Sequence, residues 1–275
     1  MMKVIDVIIP VYRRQEFIEC IKSLQQAAYL IKNIIICSDD IRSLRSQLDE
    51  FNSRIPIKYL KESFSQFNKS VLVNSGIMQS KAEYILCSDA DIIWNLETIE
   101  SLLKNVMNKE KIAYIHQVFE TQPQTEALTY KRYTYNIKQT KNNFTLNILQ
   151  DQNQENFRPG YGLIMASRHN MLKFGGLKLF SGWGWEDVDV LIRGKILGLK
   201  TVAVGSVLHI SHLRPSYEDL KIKRNQNIIQ SLREIKVGKV FGPLSHNYNL
   251  NCPLNINIWI PPELTDHQDL GNIYA

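Results

Sequence analysis

The sequence has no apolar run near the roughly 18 residues that a membrane-crossing helix needs, so any membrane contact would be peripheral. Nor is a secretory leader expected: MMKVIDVIIPVY is apolar for a few residues and then meets Pro10. The four cysteines, Cys20, Cys37, Cys87 and Cys252, show no Cys-x-x-Cys pairing and no metal-like spacing. Cys37 and Cys87 each sit late in an apolar run, the setting of buried reduced thiols, and we expect a cytoplasmic protein, at most peripheral to the inner face of the membrane. No internal repeat is found, and no strong charge excess either. Thirty-three basic against 27 acidic residues leave +6 over 275 residues, compatible with anionic ligands, an anionic membrane surface or nucleic acid without choosing among them.

What is present is an alternation. KVIDVIIPV, NIIIC, IPIKYL, AEYILCS and KIAYIHQVF have the short β-rich character of buried strands. Between them, EFIECIKSLQQAAYL, IRSLRSQLDEF, NKSVLVNSGIMQS and LETIESLLKNVM have helical character, clearest in the spacing of Phe17, Ile18, Ile21 and Leu24. This order predicts an α/β fold with a mostly parallel central sheet and helices on both faces. From Glu120 to Asn156 the pattern fades into Asn- and Gln-rich sequence, expected to be a long surface excursion or lid. Order resumes with a strand at GYGLIMASR and a helix at EDVDVLIRGKILGL. Two short strands, KTVAVG and SVLHIS, and a polar-faced helix, SYEDLKIKRNQNIIQSLREIK, follow. After Lys239 come prolines 243, 253, 261 and 262, so that tail is expected to wrap the surface as irregular chain.

Ligands of an open parallel sheet lie beyond the carboxyl ends of its strands. Those ends carry Pro10-Val11-Tyr12-Arg13-Arg14, Ser38-Asp39-Asp40 and Ser88-Asp89-Ala90-Asp91. Asp-x-Asp directly after a strand projects two carboxylates near one point, and hard divalent cations such as Mg²⁺ or Mn²⁺ take such oxygen ligands while sharing others with phosphate. A solvated turn is the plain alternative for Asp89 and Asp91. Asp39-Asp40 suits a helix cap as well as a ligand contact. Arg14 and its neighbour Arg13 could face phosphate or solvent, and Lys69 and Asn74 carry the same two readings.

In order and spacing, VIDVIIPVYRR, IIICSDD, NKSVLVNSGI and YILCSDADIIW resemble the nucleotide-sugar half of a GT-A fold glycosyltransferase of family 2 type. FGGLKLFSGWGWEDVDVLIRGKILGLKTVAVGSVLHISH resembles the C-terminal segment shared by β4-galactosyltransferases, polypeptide GalNAc-transferases and bacterial chondroitin-type polymerases. The resemblance implies one GT-A domain over residues 1–240, divided into a nucleotide-sugar half (1–117), a variable excursion (118–157) and an acceptor half (158–240). Residues 241–275 would pack on it as a tail. It further implies a UDP-sugar donor bound by Pro10, Val11, Tyr12, Arg14, Asp39, Asp40, Lys69, Asn74, Asp89, Ala90 and Asp91. An acceptor floor of Tyr161, Trp183, Gly184, Trp185 and Glu186 would lie beside it. Asp187 would be the general base of an inverting transfer, Glu186 would orient the acceptor, and Asp189 would be structural. Asp91 and His209, with Asp89, would hold Mn²⁺ or Mg²⁺, and His212 is a rival imidazole three residues on.

The implied partners are a nucleotide-sugar and a glycan, lipid-linked or peptide acceptor, and no nucleic acid. The sequence departs from the pattern in having Asp39-Asp40-Ile41-Arg42 where relatives have Asp-Asp-Gly-Ser, and Trp185 where they have a second glycine. Two other functions fit these residues less well. A sugar nucleotidyltransferase would favour a glycine-rich loop after the first strand, and IPVYRRQEF has no glycine. A carbohydrate- or nucleic-acid-binding module has no need of Asp-x-Asp, Glu-Asp and His together.

Overall fold

In IDVIIP every residue is buried, with Ile5, Val7 and Ile9 on one face and Ile8 on the other, so this segment (β1, Ile5–Pro10) lies between two layers. The computed structural model describes residues 3–48, 51–63, 67–122, 132–140, 143–151, 157–181, 183–212, 217–245 and 255–259. After β1 come α1 (Phe17–Leu24), β2 (Ile31–Ser38), α2 (Ile41–Leu48), β3 (Ile57–Lys61) and α3 (Lys69–Gln79). Next are β4 (Tyr84–Cys87), β5 (Ile92–Ile93), α4 (Leu96–Val106), β6 (Lys111–Glu120), β7 (Arg132–Thr140), β8 (Asn143–Asp151) and β9 (Phe157–Ser167). The chain continues through α5 (Arg168–Lys173), α6 (Glu186–Ile196), β10 (Lys200–His209), α7 (Tyr217–Lys236) and β11 (Asn255–Trp259).

The main sheet has the order β3-β2-β1-β4-β9-β6-β10-β5. Only β9 and β5 run against the rest, so the expected mostly parallel sheet is observed. Helices cover both faces, as the alternation predicts. Phe17, Ile21 and Leu24 of α1, Leu44 of α2 and Ile99 and Leu102 of α4 join Val7 and Ile9 in one core. Leu72, Val73 and Ile77 of α3 and Val190 and Leu191 of α6 join Ile8 and Ile35 in the other. Asn68 caps α3 through Val71 N (3.2 Å), and Asn95 caps α4 through Thr98 N (2.8 Å).

Three local expectations need correction. Within the expected surface excursion or lid, residues 132–140 and 143–151 are a paired hairpin: β7 and β8 run antiparallel from Arg132↔Asp151 to Thr140↔Asn143. Ile137, Phe144 and Leu146 anchor that hairpin in a third core with Phe180, Trp185 and Ile192. Nor is the tail wholly irregular, since β11 pairs parallel with β8; the rest of it beyond Ser245 lies outside the described residues. KTVAVG and SVLHIS form one strand, β10, because Gly205 adopts φ +57 and the ladder to β6 resumes at Ser206. No helix among the described residues is long and apolar enough to cross a membrane. Cys20, Cys37 and Cys87 are buried free thiols, each pushed up to about 12 by burial, and Cys252 lies outside the described residues.

Candidate active site

A helix leading into a parallel strand starts at that strand's carboxyl edge. The first residue of α3, Lys69, and the first two of α6, Glu186 and Asp187, therefore meet the loop after β4 although 118 residues separate Lys69 from Asp187. Lys69 Nζ lies 2.7 Å from Asp89 Oδ1 and 3.0 Å from Asp187 Oδ2. Only 6% of the lysine side chain is exposed. Burial alone would lower its pKa, but Asp187 and then Asp89 outweigh that and raise it well above the ordinary value. Gly162 of β9 makes room for the pair: a Cβ there would stand 2.6 Å from Asp187 Oδ2 and 2.8 Å from Lys69 Nζ.

Glu186 and Asp187 differ in setting. Glu186 is buried, and neither of its carboxyl oxygens has a hydrogen-bond partner. Burial first, and the neighbouring Asp187 second, raise its pKa to about 7. The Asp187 side chain is 23% exposed and bonded to Lys69; burial raises its pKa and Lys69 opposes the rise. Trp185, just before them, takes the left-handed φ of 78°, an uncommon conformation for a bulky residue. That turn rotates its indole into the third core, leaving it 3% exposed. The expectation of two indoles walling the cleft is thus corrected: Trp185 is core, and Trp183, at 41% exposure, is the open one. Gly184 has φ 105°, and its carbonyl accepts from Asn227 Nδ2 at 2.8 Å. Asp189 is structural as expected, held by Arg193 Nε (2.5 Å) and Ser231 Oγ (2.6 Å).

A second cluster forms where β6 and β10 end and β5 begins. Asp91, His209 and His212 bring ligand atoms within 4.8 Å of one another. Asp91 Oδ2 is 3.1 Å from His212 Nε2 and 3.5 Å from His209 Nε2. Burial would raise the Asp91 carboxyl, but the two imidazoles hold it well below the usual carboxylate range. Burial would lower His209, yet Asp91 and Glu120 on either side raise it to about 9. The sequence set His209 against His212; the structure puts both beside Asp91. Asp89 does not join them and spends an oxygen on Lys69 instead.

Other expected donor residues are dispersed. Pro10 and Val11 are buried, with the Val11 amide donating to Cys37 O (2.9 Å). Tyr12 stacks on Phe67 at 5.2 Å with Arg13 over its ring, and Arg14 is half-buried. Asp39 is half-buried, whereas Asp40 caps α2 through Ser43 N (3.1 Å). Ala90 is buried between the two acids. Asn74 departs from the donor-binding expectation: its amide is spent on both backbone groups of Leu177, at 2.7 and 2.9 Å. Tyr161 lies between Tyr114 (5.2 Å) and Tyr135 (5.8 Å), beside Gly162. Sequence reasoning missed Glu120 and Arg158, which carry no motif and are brought in only by β6 and β9. It placed Ser88 at a strand end without a role; the Ser88 hydroxyl fastens the Asp89 loop by accepting from Trp94 Nε1 at 2.9 Å.

Residues 6–169, more than half of the sequence, match the family described as Glycosyl transferase family 2. The chain belongs to glycosyl transferase family 2. The match includes Asp89, Asp91 and Lys69 and ends before Glu186, Asp187 and the histidines. No match was found among curated proteins. Among solved structures, this family 2 chain is similar to GalNAc-T7 with UDP, GalNAc and Mn²⁺, at TM-score 0.61 and 13% identity over 84% of this chain and 48% of that one. It is also similar to a mannosyltransferase from Pyrobaculum calidifontis in complex with GDP-Man and Mn²⁺ (0.54, 14%, 84% and 63%). A third is glucosyl-3-phosphoglycerate synthase from Mycobacterium tuberculosis with Mn²⁺, UDP and glucosyl-3-phosphoglycerate (0.52, 14%, 84% and 78%). The chain spans about half the length of the first and under two thirds of the second. At these identities the likeness shows the fold, which is GT-A.

Proposed function

We propose that this chain transfers a sugar from a nucleotide-diphosphate donor to an acceptor hydroxyl of a glycan, lipid or peptide, in the presence of Mn²⁺ or Mg²⁺ and with inversion at the anomeric carbon. The observation that carries this reading is the meeting of two clusters at the carboxyl edge of one sheet: Asp91 with His209 and His212, and Lys69 with Asp187 and Glu186. One carboxylate and two imidazoles suit a divalent ion that accepts both oxygen and nitrogen, and the imidazoles favour Mn²⁺ over Mg²⁺. Asp91, His209 and His212 would hold it. Such an ion supplies neutralisation of charge on a diphosphate leaving group. The similar structures were solved with Mn²⁺ and with UDP or GDP-Man, which supports the same donor class here. On the sequence resemblance we favour UDP-sugars: UDP-Gal, UDP-GalNAc or UDP-GlcNAc.

The chain's own acids divide the work. Asp187, partly exposed and bonded to Lys69, takes the proton of the attacking hydroxyl. Glu186 orients the acceptor. A buried polar atom without a partner costs roughly 1–3 kcal/mol, and acceptor hydroxyls are groups that would satisfy its two oxygens. The exposed Trp183 offers a flat face to a sugar ring. The buried free thiols fit a cytoplasmic site of action. The test is nucleotide release and transfer from UDP-Gal, UDP-GalNAc, UDP-GlcNAc and GDP-Man, each with Mn²⁺, with Mg²⁺ and with chelator. Metal-dependent release supports the reading. Folded protein that neither turns over nor binds any of these donors overturns it, and a retained anomeric configuration in the product rejects inversion.

A further inference from the structure

Lys69 stands between the two halves of the site. One of its ammonium donors goes to Asp89, on the loop that also carries Asp91, and another goes to Asp187, on α6. Ammonium groups with 6% exposure are retained where carboxylates compensate the lost hydration, so neither contact is incidental. We propose that Lys69 is a positioning residue that ties the Asp89 loop to Asp187, so that the proton-accepting carboxylate is held in fixed register with the donor end of the cleft. The role of Asp187 in that statement rests on the glycosyltransferase reading; the ionic tie itself does not.

The surroundings explain why the tie has to be a lysine opposite a glycine. The charged groups facing Asp187 are Lys69 from α3, Asp89 from the loop after β4, Glu186 from α6 itself and Arg158 from β9. Without Lys69, two acids would crowd Asp187, with Arg158 the one opposing charge among the described residues. The carboxyl would then take up a proton more readily, and a protonated carboxyl is no base. At Gly162, an added methyl would press on Asp187 Oδ2 and Lys69 Nζ together, at 2.6 and 2.8 Å. The loss of one side chain and the gain of another should therefore produce the same defect.

The experiment uses the full chain and the variants Lys69→Met, Lys69→Arg and Gly162→Ala. Infrared difference spectra against an Asp187→Asn background report the ionisation of Asp187. The kcat–pH profile is taken with whichever donor turns over. Far-ultraviolet circular dichroism and the melting temperature of each variant serve as the control for folding. Lys69→Met and Gly162→Ala should each raise the protonation midpoint of Asp187 by about one pH unit or more. The acid limb of kcat should move with it, and the loss should fall on kcat rather than on donor KM. Lys69→Arg, which keeps the charge, should shift the midpoint less than Lys69→Met. If Lys69→Met fails to fold, Gly162→Ala decides. An unmoved Asp187 midpoint in the folded variants overturns the proposal whatever their activity. A parent chain without transferase activity would overturn the base assignment, while the infrared midpoint would still decide the tie.

Discussion

His209 Nδ1 lies 2.5 Å from Glu120 Oε2, and this contact turns the other ring nitrogen, Nε2, toward Asp91. Ser211 Oγ donates to the same glutamate oxygen at 3.1 Å, and Arg158 Nε approaches the second oxygen at 3.4 Å. A carboxylate behind an imidazole fixes both its tautomer and its direction. Losing such a partner typically weakens metal binding by ~10–100-fold. Glu120→Gln should therefore weaken Mn²⁺ by about that factor, read from the free-ion signal in electron paramagnetic resonance. His209→Ala should weaken it further than His212→Ala, because His209 alone carries the Glu120 contact. Unchanged Mn²⁺ affinity in Glu120→Gln would remove the glutamate from the site.

Glu186 predicts a pH-dependent stability. Its carboxyl pKa is raised to about 7 in the folded chain by burial and by Asp187, against 4.5 ordinarily. The sign follows from linkage: the contribution is fully present below about 4.5 and is lost as pH rises through 7, where the buried group must ionise. Glu186→Gln removes that penalty. Its melting temperature should exceed the parent's by a few degrees at pH 8, on the scale of ~2–4 °C per kcal/mol, and by much less at pH 5. An equal gain at both pH values would show that Glu186 is not held neutral.

Asp187→Asn keeps the size and most of the hydrogen bonding of the side chain and removes only its capacity to take a proton. General base catalysis contributes ~10²–10⁴-fold, so kcat should fall by about that much while UDP and Mn²⁺ still bind. Steady-state transfer assays beside equilibrium binding separate the two quantities. Near-parental turnover would reject Asp187 as the base.

The two indoles should respond oppositely. Trp185→Ala empties a place in a packed core and should cost about 3–5 kcal/mol in chemical denaturation. Trp183→Ala, at an exposed position, should stay within about 0.5 kcal/mol of the parent while raising the acceptor KM. A stable Trp185→Ala with a raised KM would return that indole to the cleft.

Much of the fold was legible because burial on two faces leaves a plain mark: unbroken apolar strands such as IDVIIP between helices with one apolar side. The hairpin was not. Its strands are rich in Asn, Gln and Thr, and its few anchors, Ile137, Phe144 and Leu146, find their partners around α6 and α7 rather than nearby in sequence. The acids of the site were legible as residue types at strand ends. Their pairing was not, because Asp89 and Asp91 are two residues apart yet face different partners, Lys69 and the histidines. Trp185 shows the same limit: its identity says aromatic, and only a backbone turn at φ 78° says which way it points.

The pairing of β11 with β8 places Asn255 opposite Asn143, so the second sheet is completed by chain made more than a hundred residues later. Until that segment emerges from the ribosome, the outer side of β8 presents unpaired amides and carbonyls, an invitation to strands of other nascent chains. The hairpin's sheet therefore closes only after β11 has been made. A truncation before Asn255 should leave the eight-stranded sheet able to form yet make the protein sticky, through an open ladder rather than through any damage to its catalytic acids.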